Sequence, residues 1–218
     1  MPDAPYAVSL VNSKCEVATH SLRIMNTGVK EHPLLNHTVC VSPLHHDYDN
    51  SQQLVETIEM NRILGANRLV FYNFSSGQSV TRLINYYSSI GVADVIQWRL
   101  PVSVDTNSPN PDIIPDIHYF GQLVALNDCL YRYMFQSRFI IFTDLDELII
   151  PRQTLTWESM RQQISCASNT GVFVFSCTFF RTDWDDSNIT GSNDKIKALQ
   201  LNTLLKLRRE RKIYPPMS

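Results

Sequence analysis

The 218-residue sequence has little net charge, no long apolar run and no paired-cysteine motif, and each shortage removes a class of function. A net charge of −2 provides no basic field for nucleic acid or an anionic membrane. No stretch approaches the roughly 18 consecutive apolar residues that a membrane helix needs. Residues Met1 to Leu10 lack the basic start and apolar core of a signal peptide. Taken alone, that start fits either a cytosolic protein or a piece of a longer one. Cys15, Cys40, Cys129, Cys166 and Cys177 form no CxxC pair and no zinc-ligand spacing. Cys40, Cys129 and Cys177 have apolar neighbours and are expected in the core, with a disulfide open but unassigned. Internal repeats and low-complexity segments are absent as well. Asn36-His37-Thr38, Asn73-Phe74-Ser75 and Asn188-Ile189-Thr190 fit the N-glycosylation sequon, a number that chance also supplies in a chain rich in Asn, Ser and Thr.

What is present is a β/α alternation. A hydrophobic share of 44% and a charged share of 18% suit one globular α/β domain. Residues 1–37 keep no period and read as an irregular lead-in, with the domain running from 38 to 218. Thr38–Ser42 reads as a strand stopped by Pro43. Asp49 or Ser51 is the expected cap of a helix with apolar Leu54, Val55, Ile58 and Ile63, ended by Gly65. Leu69–Tyr72 is a second strand and Val80, Leu83, Ile84 and Tyr87 a second helix, ended by Gly91. Val92–Trp98 is a third strand. This order implies a mostly parallel central sheet with crossover helices, a Rossmann-like nucleotide-binding half. Residues 101–117, with four prolines, form a long loop of the functional kind. A helix from Tyr119 to about Phe135 follows, with Leu123, Leu126, Leu130 and Met134 on one side. After the strand at 139–143, Thr156 caps a helix to about Ala167, Gly171–Phe180 reads as a strand, and Lys195–Leu207 as a helix. The ending, through Tyr214-Pro215-Pro216-Met217-Ser218, shows no closing element.

The most informative run is Phe139-Ile140-Ile141-Phe142-Thr143-Asp144-Leu145-Asp146-Glu147-Leu148. An apolar, β-favouring strand delivers two carboxylates, one residue apart, where it should end. Packed sheets bind ligands outside the carboxyl ends of their strands. Paired hard oxygen donors there suit Mn2+ (or Mg2+), which takes one or two carboxylates and completes its shell with phosphate oxygens and water. Asp144 and Asp146 are therefore the metal candidates. One rival reading is a surface acidic turn, disfavoured because the strand is apolar on both faces. Another is the haloacid dehalogenase type of phosphohydrolase, whose motif carries a hydroxyl or β-branched residue where Leu148 stands and lies near the start of its chain.

The flanks extend the pattern. Pro43, Glu56, Leu64-Gly65-Ala66, Tyr72, Tyr86-Tyr87 and Trp98-Arg99-Leu100-Pro101 precede the block His118-Tyr119-Phe120-Gly121-Gln122-Leu123-Val124-Ala125-Leu126-Asn127-Asp128-Cys129-Leu130-Tyr131-Arg132. With Asp144-Leu145-Asp146-Glu147-Leu148-Ile149-Ile150-Pro151, their order and spacing closely resemble glycosyltransferase family 92 from about Val39 to Phe180. The resemblance implies a GT-A-like fold, C-terminally incomplete here. It implies inverting transfer of galactose from UDP-galactose to a glycan acceptor with Mn2+ (or Mg2+), in the lumen of the Golgi behind a membrane anchor. That anchor is not in this sequence. The family also continues past Lys212-Ile213 to a basic-Pro segment and a His that can complete the metal site, which this chain lacks. A truncated domain that binds the nucleotide sugar without transferring it is the alternative outcome.

Ser42, Asn73, Gln122, Asp128 and Asp144 are candidates for holding the nucleotide sugar, and Asn127 shares the helix of Gln122. Asn73 sits badly with its own sequon, since one Asn cannot both line a cleft and carry a glycan. Asp183 and Asp185, with Asp186, follow the strand after the metal motif and are candidates for the general base, against a solvated acidic loop. His45, His46 and His118 are weighed as ligands against ordinary loop residues, and Trp157 and Trp184 as packing residues against sugar platforms.

Overall fold

The computed structural model describes residues 5–24, 33–102, 104, 117–164, 170–181 and 203. The loop at 105–116, the acidic group Asp183, Asp185 and Asp186, Trp184, Asn188 and nearly all of Lys195–Leu207 lie outside the described residues. In the lead-in, β1 (Ala7–Val8) and β2 (Leu22–Arg23) form a short antiparallel ladder. The domain proper begins with β3 (Leu35–Leu44), followed by α1 (Ser51–Leu64), β4 (Arg68–Asn73), α2 (Gln78–Ser89) and β5 (Ala93–Gln97). A 3-10 turn at Tyr119–Gly121 opens α3 (Gln122–Tyr133), and β6 (Ser137–Thr143) and α4 (Trp157–Gln163) follow. The sheet runs β5-β4-β3-β6 with every pairing parallel, so the expected α/β architecture is present.

The strand order reverses beside β3. From β3 the chain steps outward to β4 and β5, then returns to place β6 on the other flank of β3. Ligands in open parallel sheets bind at the carboxyl ends where such a reversal parts the loops. Val41 pairs with Thr143 at that end, so the segments after β3 and β6 leave the sheet side by side.

The two faces are built differently. On one, α1 and α2 bury Leu54, Ile58, Val80 and Ile84 against Val39, Val41, Leu69 and Phe71. On the other, α3 sets Ala125, Cys129 and Tyr133 over Cys40, Val70 and Tyr72. The face of α3 expected from Leu123, Leu126, Leu130 and Met134 is therefore not the buried one, and Leu123 is 71% exposed. Small side chains let the helix lie close to the sheet, and a disulfide joins Cys129 to Cys40. Those two cysteines are in the core as expected, but as a disulfide. Cys177, expected beside them, is exposed and unpaired.

Other local expectations shift for identifiable reasons. β3 passes through Pro43, which the pairing absorbs with a register shift between Val41 and Leu44. Asn50, rather than Asp49 or Ser51, caps α1 through a bond from Gln53 N–H at 3.1 Å. Asp49 instead accepts from the Ser79 hydroxyl and the Val80 N–H in the first turn of α2. That approach needs Gly77, because a Cβ there would lie 2.2 Å from Asp49 Cγ. Ile63 is exposed, and Glu56, Thr57 and Asn61 share the buried face of α1. Gly171–Phe180 is largely exposed and carries only isolated bridges, not the expected strand. Thr156 does cap α4, and Trp157 is a buried packing residue.

Candidate functional site

Asp144 follows the last residue of β6, and its position is determined by three elements. Its Oδ1 accepts from the Ser42 hydroxyl, on β3, and from Gln122 Nε2 at 3.2 Å, in the first turn of α3. Gln122 Nε2 also donates to Ser42 Oγ at 2.8 Å, closing a three-membered network. Among the described residues Asp144 Oδ2 takes no hydrogen bond from the protein, so one oxygen of the carboxylate is committed to orientation and the other is left for a ligand. Ser42, Gln122 and Asp144, three of the sequence candidates, are thus brought together at the reversal between β3 and β6.

The Asp144–Glu147 segment is a tight turn. Glu147 N–H donates to Asp144 O at 3.1 Å, and the Glu147 carboxylate accepts from Asp144 N–H at 3.2 Å. Leu145 and Ile149 dip into the core, while the Thr57 hydroxyl of α1 donates to Leu145 O at 2.7 Å. With Leu145 anchored inward, Asp144 and Asp146 on either side of it are both exposed. Glu147 and Thr57 were not among the candidates. Glu147 was visible only as a third acid in the motif, and no local pattern marks Thr57 as a clamp on a turn 88 residues later. Tyr48 lies close enough for Asp146 to act on it: burial, then the Asp146 charge, pushes its phenol up to about 12. Its hydroxyl donates to Asn50 O and Gln53 Oε1.

Around this turn the backbone is strained. Tyr119 and Phe120 have φ of 44° and 54°, and His46 and Asp47 have 55° and 50°, the left-handed region that costs a side chain about 1 kcal/mol or more. These four residues flank Gln122 on one side and Ser42 on the other. The Phe120 ring stacks on His45 at 4.3 Å between centroids and meets His46 at 5.0 Å and Phe74 at 5.1 Å. Trp98 Nε1 donates to Phe120 O at 2.9 Å, holding the unusual conformation. Burial first, then the charge of His46, lowers the His45 pKa, and Asp144 acts in the opposite direction.

Buried polar atoms without a partner among the described residues include His45 Nδ1, Asn73 Oδ1 and Thr143 Oγ1. They stand at or just past the carboxyl ends of β3, β4 and β6, where a bound molecule would supply what the protein does not. Asn73, 8% exposed, has the burial of a cleft residue and no room for a glycan on its sequon. Asp128 is engaged otherwise: its oxygens accept from Tyr72 OH at 2.6 Å and from the Arg132 guanidinium at 2.9 and 3.0 Å. Asn127 is exposed and donates to Leu123 O, and His118 is exposed beside the 3-10 turn. A cavity of about 640 Å³ lined by Arg152, Gln153, Thr154, Met160, Gln163 and Ile164 takes in none of these residues.

No group of three or more His, Cys, Asp or Glu able to hold a metal occurs among the described residues. Asp144 presents an unengaged oxygen and Asp146, two residues on, is exposed, hard oxygen donors of the kind a divalent cation takes. The three unpartnered atoms at the neighbouring strand ends would suit a polar organic molecule.

The profile of glycosyltransferase family 92 matches residues 36–213. A glycosyltransferase family 92 protein of Caenorhabditis elegans is 31% identical over 116 residues, covering 52% of this chain and 22% of the relative. The beta-1,4-galactosyltransferase galt-1 of the same organism is 27% identical over 116 residues, 52% of this chain and 25% of the relative. A further family 92 protein of that worm is 27% identical over 112 residues, 51% of this chain and 21% of the relative. The matched segment therefore spans at most a quarter of the length of these curated relatives.

Proposed function

Because this chain belongs to glycosyltransferase family 92, we propose that it binds a nucleotide sugar and moves the sugar, galactose from UDP-galactose, to a hydroxyl of a glycan acceptor with inversion. The single observation that carries the reading is the orientation of Asp144 by Ser42 and Gln122 at the strand reversal, with one oxygen left over. Asp144 and Asp146 hold Mn2+ (or Mg2+) in this scheme, and the bound cation would supply neutralisation of the charge that builds on the departing diphosphate. Ser42 and Gln122 keep Asp144 aimed, Thr57 and Glu147 keep the turn shut, and Asn73 and His45 offer polar atoms to the nucleotide. Asp183 or Asp185 takes the acceptor proton as its oxygen attacks the anomeric carbon. Family membership leaves the phosphohydrolase reading without support.

The buried disulfide supports a lumenal location, here the Golgi, since such bonds form and persist in oxidising compartments. The choice of galactose is supported by the similarity to the beta-1,4-galactosyltransferase galt-1, while UDP and the glycan acceptor follow from the resemblance to the family. Incubation with a panel of radiolabelled UDP-sugars and Mn2+, with product linkage read by NMR, tests the proposal. Transfer from UDP-galactose with inverted anomeric configuration is expected. Tight UDP binding with no transfer from any donor would leave a binding domain, and transfer that ignores Mn2+ would contradict the metal assignment.

A further inference from the structure

We propose that the Cys40–Cys129 disulfide is a positioning device for the site, setting α3 on the sheet so that Gln122 meets Ser42 and Asp144. The inference rests on the donor reading above only for its functional readout. Cys40 lies two residues before Ser42 on β3, so both project from the same face of the strand. Cys129 lies seven residues, two turns, after Gln122 on α3, so these two share one face of the helix. The disulfide and the Gln122–Ser42 hydrogen bond are therefore successive rungs between the same two elements. One is covalent and fully buried, with its Cα atoms 6.2 Å apart. The other is a 2.8 Å bond at the edge of the site.

The packing explains why a brace is needed. α3 buries Ala125, Cys129 and Tyr133 against the sheet, a narrow face with little to interdigitate. Sliding the helix by a single residue moves it about 1.5 Å along its axis. A 2.8 Å bond stretched by that amount is no longer a hydrogen bond, and Asp144 Oδ1 would lose Gln122 with it. Tyr72 to Asp128 and Tyr133 to Asp94 also tie α3 down, but they run to β4 and β5 rather than to the strand that carries Ser42, and they rotate with their side chains. Among the described residues, the disulfide is the one covalent link between the helix and the strand that carries Ser42. A reducing environment would accordingly loosen the Asp144 carboxylate without dissolving the sheet.

The test compares four proteins: the parent, Cys40→Ala with Cys129→Ala, Gln122→Ala, and the triple variant. Cys40→Val with Cys129→Ala, which restores side-chain volume, serves as a second disulfide-free form, and thermal melts establish which forms are folded. Metal-dependent UDP affinity is measured for each by calorimetry. Losing the disulfide should weaken it about tenfold, the scale of one hydrogen bond to a charged group, and Gln122→Ala should do the same. The triple variant should be no weaker than either, because both changes break one linkage. Losses that multiply, or a disulfide-free protein that binds as the parent does, would overturn the proposal. Should the parent bind no UDP, the donor reading fails while the brace is judged by amide hydrogen exchange. Faster exchange confined to 42–47 and 119–125 supports it, and a uniform rise over β4 and β5 as well refutes it.

Discussion

The two faces of the sheet use different chemistry, and they serve the site in different ways. The α1–α2 face is a conventional apolar layer in which Leu54, Ile58, Val80 and Ile84 are wholly buried. The α3 face is thin and held by directed ties: one disulfide, Tyr72 to Asp128 and Tyr133 to Asp94. Apolar burial is strong and non-directional, and tolerates sliding. Covalent and hydrogen-bonded ties fix a register. The face that must deliver Gln122 to within 3.2 Å of Asp144 is the one built from ties, while the apolar face holds the larger buried cluster and contributes the Thr57 clamp beneath the turn.

That contrast is open to attack from both sides. Leu54→Ala, on the apolar face, should cost about 2–5 kcal/mol in urea unfolding through lost burial and the cavity left behind, with UDP affinity of the folded fraction unchanged. A large loss of affinity there would erase the distinction between the faces. Tyr72→Phe, on the other face, should cost only about 1 kcal/mol, since Asp128 keeps its Arg132 partner. Its larger effect should be a rise in amide exchange along α3, and an unchanged exchange pattern would show that the polar tie fixes nothing.

The smallest expected effect concerns pH. His37, buried at the amino end of β3, stacks on Phe139 at 5.5 Å and has its pKa lowered by desolvation, partly offset by its bond to Gly65 O. A base whose folded pKa is below its ordinary 6.5 takes up its proton more readily when unfolded. Stability should therefore be full above about pH 6.5, decline as pH falls through that value, and level off once the folded pKa is passed. His45 shifts in the same direction and adds to the slope. Replacing His37 with Phe should flatten the change in urea midpoint between about pH 7 and pH 5, and an unaltered slope would place its origin elsewhere.

Much of this arrangement could be read from the residues alone. The apolar strand before Asp144 follows from composition and the β/α alternation dictates a parallel sheet, whereas the exposed turn carrying Asp144 and Asp146 does not follow from a strand apolar on both faces, since Phe142 is itself exposed. Val80, Ile84 and Tyr87 of α2 are where their spacing puts them. On α3 the hydrophobic spacing marks the side away from the sheet: Leu123 is exposed, and the small Ala125 is buried. The disulfide needs the knowledge that α3 crosses β3, which no local pattern carries across 89 residues. Asn50, Thr57 and Glu147 act through hydrogen bonds set by the three-dimensional fold. Their residue types are too common to stand out.

The central assertion is that Asp144 and Asp146 together hold a cation beneath a nucleotide diphosphate. Calorimetric titration of UDP into Asp146→Asn, with and without Mn2+, tests it most directly. The account predicts a variant that melts like the parent and binds UDP with the same weak affinity whether or not Mn2+ is present. A variant that keeps the parent's Mn2+-dependent affinity would contradict it.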